Sequence, residues 1–138
     1  QLRHPNVLRF LGGSLRAGHV HLVTDLAKCS LHDVLYKLPE FKSMPVDSWM
    51  RFVFKLCQGI AAGMCYLHIS QPCIIHRDLK PSNILLNNSH DVLIADFGVS
   101  CQTWLHHEYR TRRVGTPRYM SPEQLKGLSY GEKVDIYA

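Results

Sequence analysis

The sequence predicts one α+β domain in which short strands and one long helix occupy separate parts of the chain. Its 138 residues are enough for a single domain with a core. Short apolar runs bounded by turn residues indicate strands within residues 7–27 and 74–94, and apolar residues at helical spacing fill the stretch between them. Together with an apolar content of 46%, these patterns favour a folded chain over a disordered one.

The first 27 residues predict a pair of strands. Pro5 ends any preceding helix, and an apolar run occupies residues 7–11. Residues 19–27 alternate polar and apolar side chains and then become apolar, which indicates a second strand. Gly18 lies where a turn would join the two.

A short helix is predicted directly after the strand pair. Ser30 can cap a helix that runs from Leu31 to Leu38, and Pro39 should end it. Residues 39–47 hold two prolines and a serine and should form a loop.

The longest helix should begin at Asp47 or Ser48 and end near His68. Gly59 and Gly63 have the spacing seen in membrane helix dimers, but charged residues interrupt this stretch, so close packing inside a soluble core explains them better. The apolar residues that recur at helical spacing are Trp49, Phe52, Val53, Leu56, Ile60, Met64 and Leu67.

Three short strands and a long loop should follow the helix. Apolar runs lie at residues 74–75, 84–86 and 92–94, and a polar turn at 87–91 separates the last two. Residues 99–120 are polar, basic and poorly periodic, which predicts a long loop. Loops of this length inside compact domains are usually functional.

Composition excludes several classes of protein. The five cysteines are odd in number and form no C-x-x-C, so neither a disulfide framework nor a zinc site is expected, and a cytoplasmic location is predicted. The sequence shows no signal peptide pattern and no apolar run of membrane-spanning length. The net charge is +5, but no aromatic platform or nucleic-acid motif accompanies it, so no nucleic-acid partner is expected.

Four polar side chains fall within nineteen residues between the predicted strands: Asp78, Lys80, Asn83 and Asp96. Phosphoryl transfer needs metal ions to neutralise phosphate charge, a cation on the moving group and an acceptor for the hydroxyl proton. Magnesium prefers the hard oxygen ligands that Asn83 and Asp96 offer. Any one of the four alone would fit a solvated turn, but their order and spacing predict a phosphoryl-transfer site.

The chain resembles the eukaryotic protein kinases. It carries a stretch similar to their catalytic loop, His76-Arg77-Asp78-Leu79-Lys80-Pro81-Ser82-Asn83, and one similar to their DFG motif, Asp96-Phe97-Gly98. Ser121-Pro122-Glu123 stands where the family has APE. The resemblance covers residues 1–138 and implies a protein-kinase-like fold, with the end of the N-lobe sheet at 1–24, a hinge at 25–29 and part of the C-lobe at 30–138.

The resemblance implies ATP-dependent phosphorylation of serine or threonine in protein substrates. Asp78 would orient the substrate hydroxyl and accept its proton, and Lys80 would contact the transferring phosphate. Asn83 and Asp96 would hold Mg²⁺ beside the ATP phosphates. Lys80, two residues after Asp78, resembles serine/threonine kinases, and Thr116 stands where these use a threonine that supports both residues.

An ATP pocket is implied by the same resemblance. Thr24 would be the gatekeeper at the back of the pocket, and the backbone of Asp25 and Ala27 would pair with the adenine edge. Ser30 would belong to the nucleotide site, and Leu85 would pack beneath the ring.

The resemblance also implies two structural roles. Phe10, His76 and Phe97 would stack as part of a hydrophobic spine. Asp135 would be the buried aspartate that holds the backbone of the catalytic loop.

Residues 96–123 would form the activation segment. We favour Thr111 as a phosphorylation site that an upstream activating kinase modifies and that Arg77 helps to recognise. Other candidate acceptors are Ser100, Thr103 and Tyr109. The arginines expected to recognise phosphate or acidic groups are Arg110, Arg112, Arg113 and Arg118.

Several alternatives stay open at this stage. Gln1 is not a methionine, so the chain is expected to be an internal fragment, and it lacks the glycine-rich loop and ATP-anchoring lysine, so by itself it should be inactive. If the parent lacked them too, it would be a non-catalytic pseudokinase-type scaffold. Residues 94–100 and 119–123 resemble mitogen-activated-kinase kinases, whereas residues 25–35 resemble tyrosine-kinase-like serine/threonine kinases. Dual specificity is a further alternative.

Overall fold

The computed structural model describes residues 2–103 and 114–138. The described strands pair in three small antiparallel sheets, β1-β2, β3-β5-β6 and β4-β7, and the α+β prediction is confirmed. The elements in chain order are β1 (Phe10–Arg16), β2 (His19–Thr24), β3 (Cys29–Ser30), α1 (Leu31–Tyr36), α2 (Pro39–Lys42), α3 (Val46–Ile69), β4 (Cys73–Ile75), a 3₁₀ turn (Pro81–Asn83), β5 (Ile84–Leu86), β6 (Val92–Ile94), β7 (Cys101–Thr103), α4 (Pro122–Lys126) and α5 (Lys133–Tyr137).

Strands β1 and β2 form a hairpin that Ala17 and Gly18 close. Both residues have positive φ, 47° and 80°, as a tight hairpin turn requires. The pairing runs back to Phe10 opposite Thr24. The predicted turn near Gly18 is therefore confirmed.

The predicted bounds of these two strands are wrong. The first strand begins after Val7 rather than at it, because Val7 instead forms a parallel bridge with Ile94 and is 3% exposed in the core. The second ends at Thr24 rather than at residue 27. One further hydrogen bond links the two segments, from the amide of Asp25 to the carbonyl of Arg9 at 3.1 Å.

Ser30 caps α1, as the sequence predicts. Its hydroxyl accepts the amide of Asp33 at 3.2 Å, and the Asp33 carboxylate accepts the amide of Ser30 at 3.0 Å, which completes a capping box. The loop predicted at 39–47 is wrong in its first part. Pro39 opens α2, because a proline at the first helical position gives up no helical hydrogen bond.

The longest helix, α3, packs against β4 and β6 and supplies much of the core. Its two glycines allow close approach to the strands. A β-carbon at Gly63 would lie 2.6 Å from the Ile94 side chain and 2.8 Å from the carbonyl of Asn6. One at Gly59 would lie 2.9 Å from the side chain of Val92. The prediction of close core packing at both glycines is confirmed.

By length and composition, α3 is also apolar enough to cross a membrane, contrary to the expectation that no such stretch exists. It is the one helix of this kind among residues 2–103 and 114–138. Leu56, Met64 and Leu67 on its inner face are buried against the sheets.

Strand β7 interrupts the predicted 99–120 loop. Its residues pair with β4, with Ile75 opposite Cys101 and Cys73 opposite Thr103. This pairing supports a second, smaller core in which Cys73 and Ile75 meet Tyr130. The start of the predicted loop is thus fixed to the strand that leads into residue 76.

The substitution Gly63→Ala should lower the free energy of unfolding by about 1–3 kcal/mol, because the added methyl overlaps Ile94 and the Asn6 carbonyl. The better helix propensity of alanine offsets at most about 1 kcal/mol of this loss. Chemical denaturation of the intact protein measures the difference. Gly12→Ala is the matched control, since a β-carbon there would meet no atom within 4 Å beyond its chain neighbours. Equal midpoints for the two variants would contradict the packing argument.

Candidate active site

Asp135 on α5 holds the backbone on which the candidate site is built. Its carboxylate accepts the amide of His76 at 2.8 Å with Oδ2 and the amide of Arg77 at 2.8 Å with Oδ1. Nε2 of His68, near the end of α3, contacts the same Oδ2 at 2.9 Å. The structure thus places Asp135 as the sequence predicts. His68 was missed, because its only sequence signal is a histidine near a helix end.

Arg77 has a left-handed backbone, with φ at 68°. Its Nε donates to the carbonyl of Val99 at 2.6 Å, so its side chain reaches the segment that follows Asp96-Phe97-Gly98. Its own carbonyl lies where a β-carbon on Gly115 would be, and Gly115 itself has φ of 113°. This close approach requires a glycine at that position.

Asp78, Lys80 and Thr116 form a closed hydrogen-bonded triangle. The Lys80 ammonium donates to Asp78 Oδ2 at 2.6 Å and to Thr116 Oγ1 at 2.7 Å. The Thr116 hydroxyl donates to the other carboxylate oxygen, Oδ1, at 2.7 Å. All three predicted residues therefore meet, and a segment distant in sequence supplies the third.

The triangle sets the charge state of Asp78. Burial raises the pKa of its carboxyl, but hydrogen bonds from Lys80 and Thr116 and the Lys80 charge outweigh burial and hold the pKa below its ordinary value. Asp78 therefore stays ionised at neutral pH. An ionised carboxylate next to an ammonium can orient a hydroxyl and accept its proton as that hydroxyl attacks.

Asn83 and Asp96 lie at the ends of adjacent strands. Ile84 of β5 pairs with Ile94 of β6, and the carbonyl of Asn83 accepts the amide of Ala95 at 2.9 Å. The exposed Asp96 has a left-handed backbone, and its Oδ1 accepts the amide of Gly98 at 3.3 Å.

The donor set of these two residues fits Mg²⁺. The Asn83 side chain donates through Nδ2 to the carbonyl of Asp78 at 2.9 Å and to its Oδ2 at 3.2 Å. This orientation leaves the amide oxygen, Oδ1, unused by any hydrogen bond of the described residues. An amide oxygen and an exposed carboxylate on adjacent strands are hard ligands of the kind that Mg²⁺ prefers.

His76 links the catalytic loop to the strand that precedes Asp96. Its Nε2–H donates to the carbonyl of Ala95 at 2.9 Å, and its Nδ1 accepts the amide of Asp78 at 3.3 Å, which together fit a neutral ring. The ring lies 5.2 Å from that of Phe97, centroid to centroid. Two members of the predicted spine are thus in contact, while Phe10 lies at the start of β1 and is 44% exposed.

The residues predicted to hold the adenine follow β2. The Thr24 hydroxyl donates to the carbonyl of Asp25 at 3.1 Å. The backbone amide and carbonyl of Ala27 enter no hydrogen bond within the part of the chain that the structure describes. Ser30 pairs with Leu85 across β3 and β5, so these two are neighbours, although the Ser30 hydroxyl serves mainly to cap α1.

Part of the predicted activation segment lies outside the described residues, including Tyr109, Thr111 and the three arginines of 110–113. Two other candidate acceptors are described. Thr103 is 3% exposed in β7, and the Ser100 hydroxyl donates to the carbonyl of Phe97 at 2.8 Å. Neither presents a free, exposed hydroxyl in this conformation.

Comparison with known families identifies the kind of domain. The chain matches the protein kinase domain family over residues 1–138, and it belongs to the protein kinase family. One relative, a protein of Acanthamoeba polyphaga mimivirus named as a serine/threonine-protein kinase/receptor, is 36% identical over 140 residues, which cover 100% of this chain and 8% of that protein. A serine/threonine-protein kinase of Dictyostelium discoideum is 37% identical over 147 residues, covering 100% of this chain and 18% of its own length. The chain thus spans less than a quarter of these relatives.

The substitution Thr116→Val should raise the pKa of Asp78 toward its ordinary value, because one of the hydrogen bonds that favour the carboxylate is lost. Carbon-detected NMR titration of the carboxyl measures the shift. Thr116→Ser keeps the hydroxyl and should titrate as the wild type does. An unchanged titration in the valine variant would contradict a hydrogen-bonded Thr116.

Asp78 should also couple folding to pH. Its folded pKa is depressed, so its contribution to stability is present above its unfolded pKa of about 3.9 and is lost as the pH falls through the folded pKa. The difference in unfolding free energy between wild type and Asp78→Asn should be constant above about pH 5 and change only below it. Denaturant titrations at several pH values test this, and a difference that varied between pH 6 and 8 would contradict it.

Proposed function

We propose that the protein containing this chain transfers the γ-phosphoryl group of ATP to serine or threonine hydroxyls of protein substrates. The observation that carries the proposal is the Asp78–Lys80–Thr116 triangle, set beside the two hard-oxygen ligands Asn83 and Asp96. The names of the relatives, which are serine/threonine-protein kinases, support the same acceptor class.

In the proposed reaction, Asp78 receives the acceptor hydroxyl and takes its proton as the oxygen attacks the γ-phosphorus. The bond from that phosphorus to the β–γ bridging oxygen breaks, and ADP leaves. Lys80 stays close enough to share its charge between Asp78 and the moving phosphoryl group. The hydrogen bond from Thr116 to Oδ1 fixes the carboxylate plane while Oδ2 faces Lys80 and Asn83. Bound at Asn83 and Asp96, Mg²⁺ would neutralise the phosphate charge.

For the nucleotide, we propose a division of the chain into N-lobe strands at 1–24, a hinge at 25–29 and C-lobe at 30–138. The backbone groups of Ala27, which bond to no other described residue, and the carbonyl of Asp25, which accepts only the Thr24 hydroxyl among the described residues, suit the adenine edge. Thr24 would stand behind the ring. Leu85, half-buried on β5 next to Ser30, would lie beneath it.

The regulation of the protein and its cellular location are proposed on separate grounds. We propose that an upstream kinase phosphorylates Thr111 and that Arg77 takes part in recognition, since its guanidinium already contacts the segment at Val99. We propose a cytoplasmic location, because the five cysteines are odd in number and form no C-x-x-C. Burial raises the pKa of the Cys73 thiol, so it resists oxidation.

Different stretches of the sequence favour two different subgroups of protein kinases. The stretches 94–100 and 119–123 favour a kinase similar to mitogen-activated-kinase kinases, and 25–35 favour a tyrosine-kinase-like serine/threonine kinase. Phosphoamino-acid analysis of the products, including any phosphotyrosine, separates single from dual specificity.

The substitution Asp78→Asn in the full-length protein should lower transfer to a mixed serine/threonine peptide by about 10²–10⁴-fold, because the proton acceptor is lost. Labelled ATP with Mg²⁺ provides the measurement. Asp47→Asn, an exposed carboxylate on α3, is the matched control and should retain wild-type activity. Binding of Mg²⁺-ATP without transfer by the wild type would contradict the proposal and indicate a pseudokinase-type scaffold.

A further inference from the structure

A buried glutamine, Gln124, joins the start of α4 to the catalytic loop. It is 2% exposed, and its Oε1 accepts the backbone amide of Ser121 at 3.1 Å. The backbone amide of Gln124 in turn donates to the Ser121 hydroxyl at 3.4 Å. This is a capping box, and it uses one end of the side-chain amide. The other end, Nε2, donates to the carbonyl of Arg77 at 3.5 Å.

The two partners fix how the Gln124 amide is turned. Ser121 offers a donor, its N–H, and Arg77 offers an acceptor, its C=O. Exchanging nitrogen and oxygen would set two donors face to face at one end and two acceptors at the other. A carboxylate or an apolar side chain at position 124 could not satisfy both.

The carbonyl that Gln124 contacts belongs to the peptide that leads into Asp78. Arg77 has left-handed backbone geometry, and its carbonyl is crowded against Gly115. Among residues 2–103 and 114–138, Gln124 is the only hydrogen-bond donor to this carbonyl. Loss of this contact would leave the partly buried carbonyl without a donor from the described residues, which favours rotation of the peptide.

We propose that Gln124 is a positioning residue for the phosphoryl-transfer reaction: through the Arg77 carbonyl it sets the orientation of the peptide that carries Asp78. The proposal rests on the kinase activity proposed above. Lys80 and Thr116 hold the Asp78 carboxylate directly, whereas Gln124 holds its backbone. Helix α4, which Ser121 caps, is thereby coupled to the geometry of the Asp78 carboxylate.

The substitution Gln124→Glu isolates this contact. A glutamate keeps the capping box with Ser121, so α4 stays capped, but its ionised carboxylate has no hydrogen for the Arg77 carbonyl. The protonated acid does have one. Burial and the nearby carboxylates should raise the pKa of this glutamate. The ionisable groups around this space are Arg77, Asp78, Tyr119 and Asp135.

In the full-length protein, Gln124→Met should lower kcat by about tenfold or more with KM for ATP unchanged, since misplacement affects the chemical step. Gln124→Glu should show a similar loss near pH 8 and regain activity relative to wild type as the pH falls toward 6. Gln58→Met and Gln58→Glu, on the exposed face of α3, are matched controls and should follow the wild type at each pH.

A kcat within twofold of wild type for both Gln124 variants would overturn the proposal. A Gln124→Glu deficit that stayed constant with pH would also overturn it, because only the protonation state of the side chain changes within that variant. If the wild type transferred no phosphate, the proposed kinase activity would be wrong, and the role of Gln124 would need a separate measurement. Hydrogen exchange of the Asp78 amide would then decide, since faster exchange in Gln124→Met than in Gln58→Met supports the positioning role and equal exchange overturns it.

Discussion

The buried carboxylate of Asp135 is the constraint on which the rest of this site depends. A carboxylate removed from water is stable only if hydrogen-bond donors replace the water it has lost. Here two consecutive backbone amides, those of His76 and Arg77, and the ring of His68 do so. These bonds fix the peptides that precede the Cα of Arg77, and the left-handed backbone of Arg77 then sets the direction of the residues that follow.

The carboxylate of Asp78 is fixed from two directions at once. Lys80 lies on the same loop as Asp78, and Thr116 comes from a segment much later in the chain, so the triangle closes only when both are folded together. Gly115 and Gln124 come from the same later segment and meet the backbone instead of the carboxylate. The state of residues 114–124 is therefore transmitted to Asp78 by side-chain and backbone contacts alike.

Local signals explain most of what could be predicted about the fold. The hairpin turn at Gly18, the cap at Ser30 and the long helix each depend on neighbouring residues, and all appear in the structure. Pro39 was misread because proline is compatible with both the end of one helix and the first turn of the next. Strand β7 was missed because its partner, β4, lies far away in sequence and no local periodicity reveals it.

The residues of the candidate site likewise divide into those that local sequence signals mark and those that they do not. Spacing within 78–96 was enough to group Asp78, Lys80, Asn83 and Asp96 as candidates for one site. Thr116 and Asp135 were reached only through family resemblance, since nothing local marks them. His68 and Gln124 carried no signal, because a histidine at a helix end or a glutamine after a capping serine is ordinary until the fold supplies a buried partner.

The absence of space at Gly115 has a consequence for inheritance. Any other residue there must push the Arg77 carbonyl away, and the peptide of Asp78 moves with it. A gene copy still selected for catalysis cannot accept that change unless the loop is reshaped in step. A copy released from that selection meets no such constraint, so a substitution at residue 115 would mark a lineage that no longer depends on the geometry of Asp78.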